Sequence, residues 1–437
     1  GTTTLDATGI ITFATGASIF NTLAVESDGG VAVNIGLSTD TGNLTIDGDI
    51  DNGTAGAVNF ATGVTVASEG SLTLDGTTGG LVGAGTLDLD AKTGITLNDN
   101  LTTAGTTDIN ADSDGTGGVG TLTLAAGKTL STTNNILTIT AEDLDISGTS
   151  ITSGSAKTTI TDSDNNGIGL GATASTHGLD VSVAELTKIT GADVEFVSAG
   201  NIDVNGLTAA STATISGTLI LDSAADVNFV TGASTTTNGL TVEADNQVDI
   251  DVAVTTTAGN LSIDGDADNA ADTNDKVDIA TGLTLTTAGL MTLDATTGGI
   301  AGVVLTLNAK EGVTITDALT TTGALTVNAD TDADDNTGTF TTGGAVSAGS
   351  NAISITANDV VLGSTLSSGG AKTTITDSDS TDGVGLGATT VSNGLNLSGT
   401  ELQNITSTGF EIATGGTVTV NGITGLNSDN LSGTTTL

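Results

Sequence analysis

Proline, cysteine, tryptophan, tyrosine and arginine are all missing from this 437-residue chain, and histidine and methionine occur once each. At average usage a chain of this length carries roughly twenty prolines, so their absence has a physical cause. Proline lacks an N–H and cannot sit in a central strand, so a fold of strands paired on both sides, with tight turns repeated in register, excludes it almost everywhere. The lack of cysteine excludes a disulfide framework and a thiolate metal site. Seven lysines stand against 51 acidic residues, for a net charge of −44. Nucleic acid and anionic membrane both need a basic footprint, and neither is expected as a partner. The longest apolar runs, such as "IAGVVL" at 300–305, are strand-sized and far short of the roughly 18 residues of a membrane span.

What remains is 63 glycines and a 36% hydrophobic fraction, mostly Val, Ile, Leu and Ala, which is too apolar and too regularly patterned for a disordered tail. Segments such as "LTID" at 44, "LTLD" at 72, "LDLD" at 87, "LTVE" at 240 and "LTVN" at 325 alternate apolar and polar residues, the period of a strand with one buried face. Gly, Asn, Asp and Thr clusters follow each and supply the turns. Helix-period stripes are nearly absent; "AELTKI" at 184 and "TELQNI" at 400 suffice for about one turn of helix.

The chain repeats itself. "AKTTITDSDNNGIGLGAT" at 156–173 returns as "AKTTITDSDSTDGVGLGAT" at 371–389, "GNLTIDGDIDN" at 42–52 as "GNLSIDGDADN" at 259–269, and "IDVNGLT" at 202–208 as "VTVNGIT" at 418–424. The sequence therefore reads as a first long repeat, 1–216, a second, 217–432, and the truncated opening of a third, 433–437, where "GTTTL" matches residues 1–5. Many short strands in tandem copies leave two architectures. One is a parallel β-helix, or β-solenoid, whose coils stack about 4.8 Å apart. With coils of roughly twenty residues, each copy makes about ten of them, rises on the order of 50 Å and forms a rod. The other is a string of immunoglobulin-like β-sandwiches, which ordinarily use large aromatic core residues and prolines in their loops. Seven Phe without Trp, Tyr or Pro favour the β-helix.

The stretch from Ile353 to Thr424 carries, in order, an "ITA-D" strand, a "GLG" turn, an "L-L-ELQ-I" segment and a closing "G-VTV-G-I", and Ile136 to Thr208 carries a similar set. This ordered set resembles the repeats of giant bacterial β-strand-repeat exoproteins related to filamentous haemagglutinin. The resemblance covers about a third of the chain closely. It implies a right-handed parallel β-helix, export to the bacterial cell surface, and a role as adhesin or extracellular fibre.

Acidic turns are the one candidate for chemistry. In "DSDNNG" at 162–167, Asp162, Asp164 and Asn166 alternate before Gly167 as at the start of a calcium loop, a spacing that lets carboxylates converge on a hard cation. Asp47, Asp49 and Asp51 in "DGDIDNG", and Asp264, Asp266 and Asp268 in "DGDADN", share it, as do the runs at 110–115 and 330–336. Thr173 stands where the bidentate Glu of such a loop belongs. The competing reading is a solvated corner in which Asp and Asn only satisfy turn geometry. No cofactor is required, and Ca²⁺ is the one ion considered.

His177 is the single imidazole, and its counterpart in the second copy is Asn393. A surface turn is expected there rather than a catalytic triad. Lys157 and Lys372, and Lys92 and Lys310, occupy matched places and are expected to neutralise nearby acids. A polysaccharide-cleaving site would combine carboxylates with aromatic stacking surfaces or a basic group, for which the chain lacks Trp, Tyr and Arg. The expectation is a non-catalytic, extracellular shaft, stalk or fibre whose partner is further copies of itself. The alternative is an adhesin for cell-surface glycans or proteins, with an enzyme a remote third.

Overall fold

The computed structural model describes residues 1–437 apart from 54–55, 173–176, 272–273, 334–336, 380 and 393. Thr173 and Asn393, named above, and the last residues of the run at 330–336 lie outside the described set. The chain divides into two compact units, one of Gly1–Asp203 with Ala210–Asp222, the other of Val204–Ala209 with Ser223–Leu437.

In the first unit the chain winds as a parallel β-helix with three strands to a turn. Thr3–Ala7, Ile11–Phe13 and Ser18–Phe20 make the first turn, and Leu23–Ser27, Val31–Val33 and Leu37–Thr39 lie on them in the same order. Pairing is parallel and in register: Thr3 with Leu23, Leu23 with Leu44, Leu44 with Leu72, Leu72 with Ile95. A turn therefore takes about 20 to 28 residues, longer than the roughly twenty expected, because some connections between strands are long, as between Leu44–Asp47 and Val58–Phe60 and between Thr107–Asn110 and Thr121–Leu124. Antiparallel sandwiches are excluded, since the strand pairings among the described residues are parallel throughout.

Alternation along each strand sets the layers. In Leu72–Asp75 the Leu residues point inward and are fully buried while Thr73 and Asp75 point out, and the same pattern recurs in the strands above and below. Parallel stacking then turns each inward position into an aliphatic column, as in Leu23–Leu44–Leu72–Ile95 and Val25–Ile46–Leu74–Leu97. Each such side chain contributes about 1.5–3 kcal/mol on burial. The few aromatics are spent inside: Phe60, Phe196, Phe229, Phe340 and Phe410 are among the largest fully buried side chains.

The second unit is built the same way. Strands Asp226–Phe229, Ser234–Thr236 and Gly239–Ala244 are followed in parallel by Gln247–Ile250, Val254–Thr256 and Leu261–Asp264. Buried hydroxyls bond to one another at matching corners, Thr39 with Ser68 at 3.4 Å in the first unit and Thr256 with Thr287 at 2.8 Å in the second.

Each unit breaks the simple order once. After Ile168–Gly171 the chain comes back to make Leu179–Ser182, which pairs with that strand and takes its place toward Asp143–Ile146: the Asp180 amide donates to Asp143 Oδ1 at 3.4 Å. Ile168 in turn donates to the Asn201 carbonyl on the far side at 2.8 Å. A layer is skipped and then filled. Val384–Gly387 and Leu395–Leu397 repeat the device, with the Asn396 amide 2.9 Å from Asp359 Oδ1. A short helix follows in both, Val183–Leu186 and Gly399–Asn404, each opened by a Ser whose hydroxyl and the Glu three residues on cap it reciprocally.

Candidate functional site

In-register stacking determines where the acids go. Asp6, Glu26, Asp47 and Asp75 pair successively and form one outward column in the first unit. Glu243, Asp264 and Asp294 form its counterpart in the second. Neighbours in such a column stand about 4.8 Å apart, close enough for like charges to disfavour ionisation. Burial, then the charges of Asp75 and Asp49, push the Asp47 carboxyl up. Asp294 is pushed up to about 7, first by the hydrogen bond it shares with Asp317, then by burial and the charge of Asp264. On another face Asp90 rises to about 6 through burial and its neighbours Asp88 and Asp108. Asp88 and Asp108 also line a shallow groove with Gly63, Thr65 and Thr86.

The corner acids do different work. Asp49 is fully buried; one oxygen accepts the Gly53 amide at 2.9 Å and the other accepts the Thr78 amide at 2.9 Å as well as the Thr78 hydroxyl. The Thr78 bond leads in holding its carboxyl below the ordinary range. Asp47 and Asp51 each accept one nearby amide, from Asp49 and Gly53. In the second unit Asp266 accepts the Thr297 amide at 2.6 Å, Asp264 the Asp266 amide at 3.0 Å and Asp268 the Ala270 amide at 2.9 Å. Asn52 and Asn269 take the left-handed conformation in the two loops, at φ 52° and 54°.

Asp162 accepts the Gly167 amide at 2.8 Å and the Ser198 hydroxyl at 3.0 Å, and burial raises its pKa. Asp164 turns instead to the amide and side chain of Asn166. The adjacent Ser163 donates to Asp112 at 2.7 Å, and Ser378 donates to Asp330 at 2.6 Å in the second unit. The three predicted loops thus place their carboxylates on main-chain amides and on hydroxyls of other turns. One oxygen each of Asp112, Asp162, Asp266 and Asp377 is buried without a hydrogen-bond partner. Among the described residues, no group of three or more His, Asp or Glu side chains is arranged to hold a metal ion.

The sparse cations tie turns together. Lys157 meets Glu195 at 2.7 Å and Lys372 meets Glu411, at equivalent positions of the two copies. Lys92 meets Glu69 at 2.5 Å, whereas its counterpart Lys310 meets Asp332 at 3.5 Å. His177 lies in a bend just before Leu179–Ser182, and its ring is held by two acceptors. Its side chain is only 14% exposed, with Nδ1 2.7 Å from the Asn166 carbonyl and Nε2 2.9 Å from Asp203. Both acceptors require a proton on the ring. Burial works against the imidazolium, but the bonds to Asp203 and Asn166 outweigh it and raise the pKa.

The acidic columns escape a reading of loops alone, although the terminal acid of "LTID", "LTLD" and "MTLD" was the available signal. No protein-family model, curated protein or solved structure matches the chain.

Proposed function

We propose that this chain is a structural, non-catalytic segment of a long exported bacterial surface protein, serving as the shaft of an extracellular fibre or stalk. One observation carries the reading: the side chains that tie one turn to another are repeated at equivalent positions in both copies. Lys157–Glu195 recurs as Lys372–Glu411, Ser163–Asp112 as Ser378–Asp330, and Asp49–Thr78 as Asp266–Thr297. A receptor or catalytic site needs its residues once, in one geometry. Ties between turns are needed at every repeat, and uniform repetition suits length and stiffness. The resemblance to filamentous haemagglutinin-related repeats supports export and a surface location. A net charge of −44 keeps such shafts soluble and apart.

Electron microscopy of the native assembly, with antibody against this segment, tests the proposal. A continuous thin filament outside the cell, labelled along its length, is expected. A necklace of beads, or label confined to the cell interior, would overturn it.

A further inference from the structure

We propose that His177 is a pH-sensitive pin: as an imidazolium it holds the inserted strand Leu179–Ser182 of the first unit in its layer, and that strand loosens when the ring gives up a proton. The ring stands two residues before the strand and reaches back to two other segments. Nδ1 lies 2.7 Å from the carbonyl of Asn166, in the loop that leads into Ile168–Gly171, and Nε2 lies 2.9 Å from Asp203. A carbonyl and a carboxylate both accept, so the two bonds exist together only while both ring nitrogens carry hydrogen. Neutral imidazole has a single N–H and must release one partner.

The backbone leaves room for this ring. Gly167 takes φ +101°, and a Cβ there would lie 2.6 Å from His177 Nδ1 and 2.5 Å from the Asn201 carbonyl oxygen. That same carbonyl accepts the Ile168 amide at 2.8 Å, and Ile168 pairs with Leu179 of the inserted strand. The pin therefore sits where the inserted strand, its neighbour and the segment at 201–203 meet.

The repeat changes both partners together. In the sequence of the second copy Asn393 stands at the place of His177, and Thr419 at the place of Asp203. The insertion itself is kept there: Val384–Gly387 pairs with Leu395–Leu397, and the Val384 amide donates to the Thr417 carbonyl at 2.9 Å. Building the layer does not need a charged pair, so what the pair adds to the first copy is a dependence on pH.

The surrounding charges fix the sign. Asp203 and Asp180 act on the ring directly. Asp164 and Glu142 close on the adjacent Gly178, at 3.3 and 3.5 Å from its Cβ position, and Asp143 takes the Asp180 amide. All of these are acids, so deprotonation of the ring breaks a bond and also removes a positive charge set among carboxylates. Burial disfavours the imidazolium, but the bonds to Asp203 and Asn166 outweigh it and place its pKa above 6.5. The pin is closed in acid and opens as pH rises through that raised value.

Two measurements on the full chain, with chelator present throughout, test this. Proton NMR reads the ring, because one histidine gives one imidazole titration. Hydrogen exchange, expressed as protection relative to the intrinsic rate at each pH, reads the strands. The protected amides of Leu179–Ser182 should lose protection on the order of tenfold across the ring's titration, while those of Leu395–Leu397 show no step. Asp203→Asn should lower the ring's midpoint and carry the step down with it. His177→Asn combined with Asp203→Thr installs the pair of the second copy and should abolish the step, with Leu72–Asp75 still protected as proof of folding. A ring that titrates while protection of Leu179–Ser182 stays flat overturns the proposal. A step that survives in the double variant, or that appears equally in Leu395–Leu397, overturns it as well, and a ring midpoint at or below 6.5 removes the protonated bridge itself.

Discussion

Lys157 Nζ lies 2.7 Å from Glu195, on the turn stacked next to its own, and Thr159, in the strand Thr158–Asp162 that begins just after Lys157, donates to Glu195 at 3.1 Å. One carboxylate thus receives a cation and a hydroxyl from a single neighbouring turn, and stays only 16% exposed. Against 51 acids the chain has seven lysines, and this one is used between layers.

The pair is partly exposed, so its energy is modest. A double-mutant cycle with Lys157→Gln and Glu195→Gln should give a coupling of about 0.2–1 kcal/mol that shrinks as salt is added. A coupling that is absent at low salt would show that the contact orders the surface without stabilising the stack.

Acidification should stabilise the fold before it harms it. A carboxyl whose folded pKa lies above its unfolded value keeps a proton that the unfolded chain has lost. Stability is then fully present below the unfolded value and falls as pH rises through the folded one. For Asp294 that window runs from the ordinary 3.8 to about 7, and for Asp90 from 3.8 to about 6. The raised pKa of His177 acts in the same sense above 6.5. Asp49, Asp114 and Asp379 are lowered and act oppositely, losing stability as pH falls below 3.8. The urea midpoint should therefore be higher at about pH 5 than at about pH 8, and Asp294→Asn should flatten the difference. A midpoint that rises steadily from pH 5 to pH 8 contradicts the acidic columns.

Asp49→Ala removes the acceptor for two amides at once, those of Gly53 and Thr78. Hydrogen exchange should accelerate at both, on the order of tenfold for one lost bond, while amides inside the Leu72–Asp75 strand stay protected. Thr78→Val should quicken exchange at Thr78 less, because the carboxylate still accepts that amide. Equal acceleration throughout the unit would mean that the loop is not a local tie.

Calcium provides a separate check on the corner loops. Because the carboxylates of 47–51, 162–166 and 264–268 bond to amides and hydroxyls, and no three-acid group to hold a metal occurs among the described residues, melting should have the same midpoint with chelator and with added Ca²⁺. A midpoint raised by Ca²⁺ and lost in Asp162→Asn would show that these loops close on the ion.

Strand positions and their inward faces were legible because "LTID" or "LTLD" needs only a period of two to be read. The parallel stack followed from the repeat and from the missing proline. The order of stacking was not legible at Leu179–Ser182, which follows Ile168–Gly171 in sequence but lies between it and Asp143–Ile146. Every strand offers the same alternating pattern, so composition does not tell which neighbour it takes. The acidic columns were hidden for a related reason: Asp47 and Asp75 look like separate turn residues until register brings them together. The partner of His177 lies 26 residues away, where spacing carries no signal.

Backbone conformation supplies the last test, at Gly94. It sits at φ +109° where strand Ile95–Leu97 begins, and a Cβ there would lie 3.0 Å from the Thr121 carbonyl oxygen on the next turn. Gly312 repeats the arrangement at φ +126°, 2.9 Å from the Thr339 oxygen. Alanine at either position meets both a disfavoured φ and main-chain oxygen that cannot move without breaking the ladder. Gly94→Ala and Gly312→Ala should each cost at least about 1–2 kcal/mol. Gly9 has no positive φ and nothing within 4 Å of its Cβ position, so Gly9→Ala should be neutral or stabilise by up to about 1 kcal/mol. Chemical denaturation of the three variants separates the explanations, since a general intolerance of lost glycine would destabilise all of them alike. Close approach of one turn to the next predicts loss only at Gly94 and Gly312.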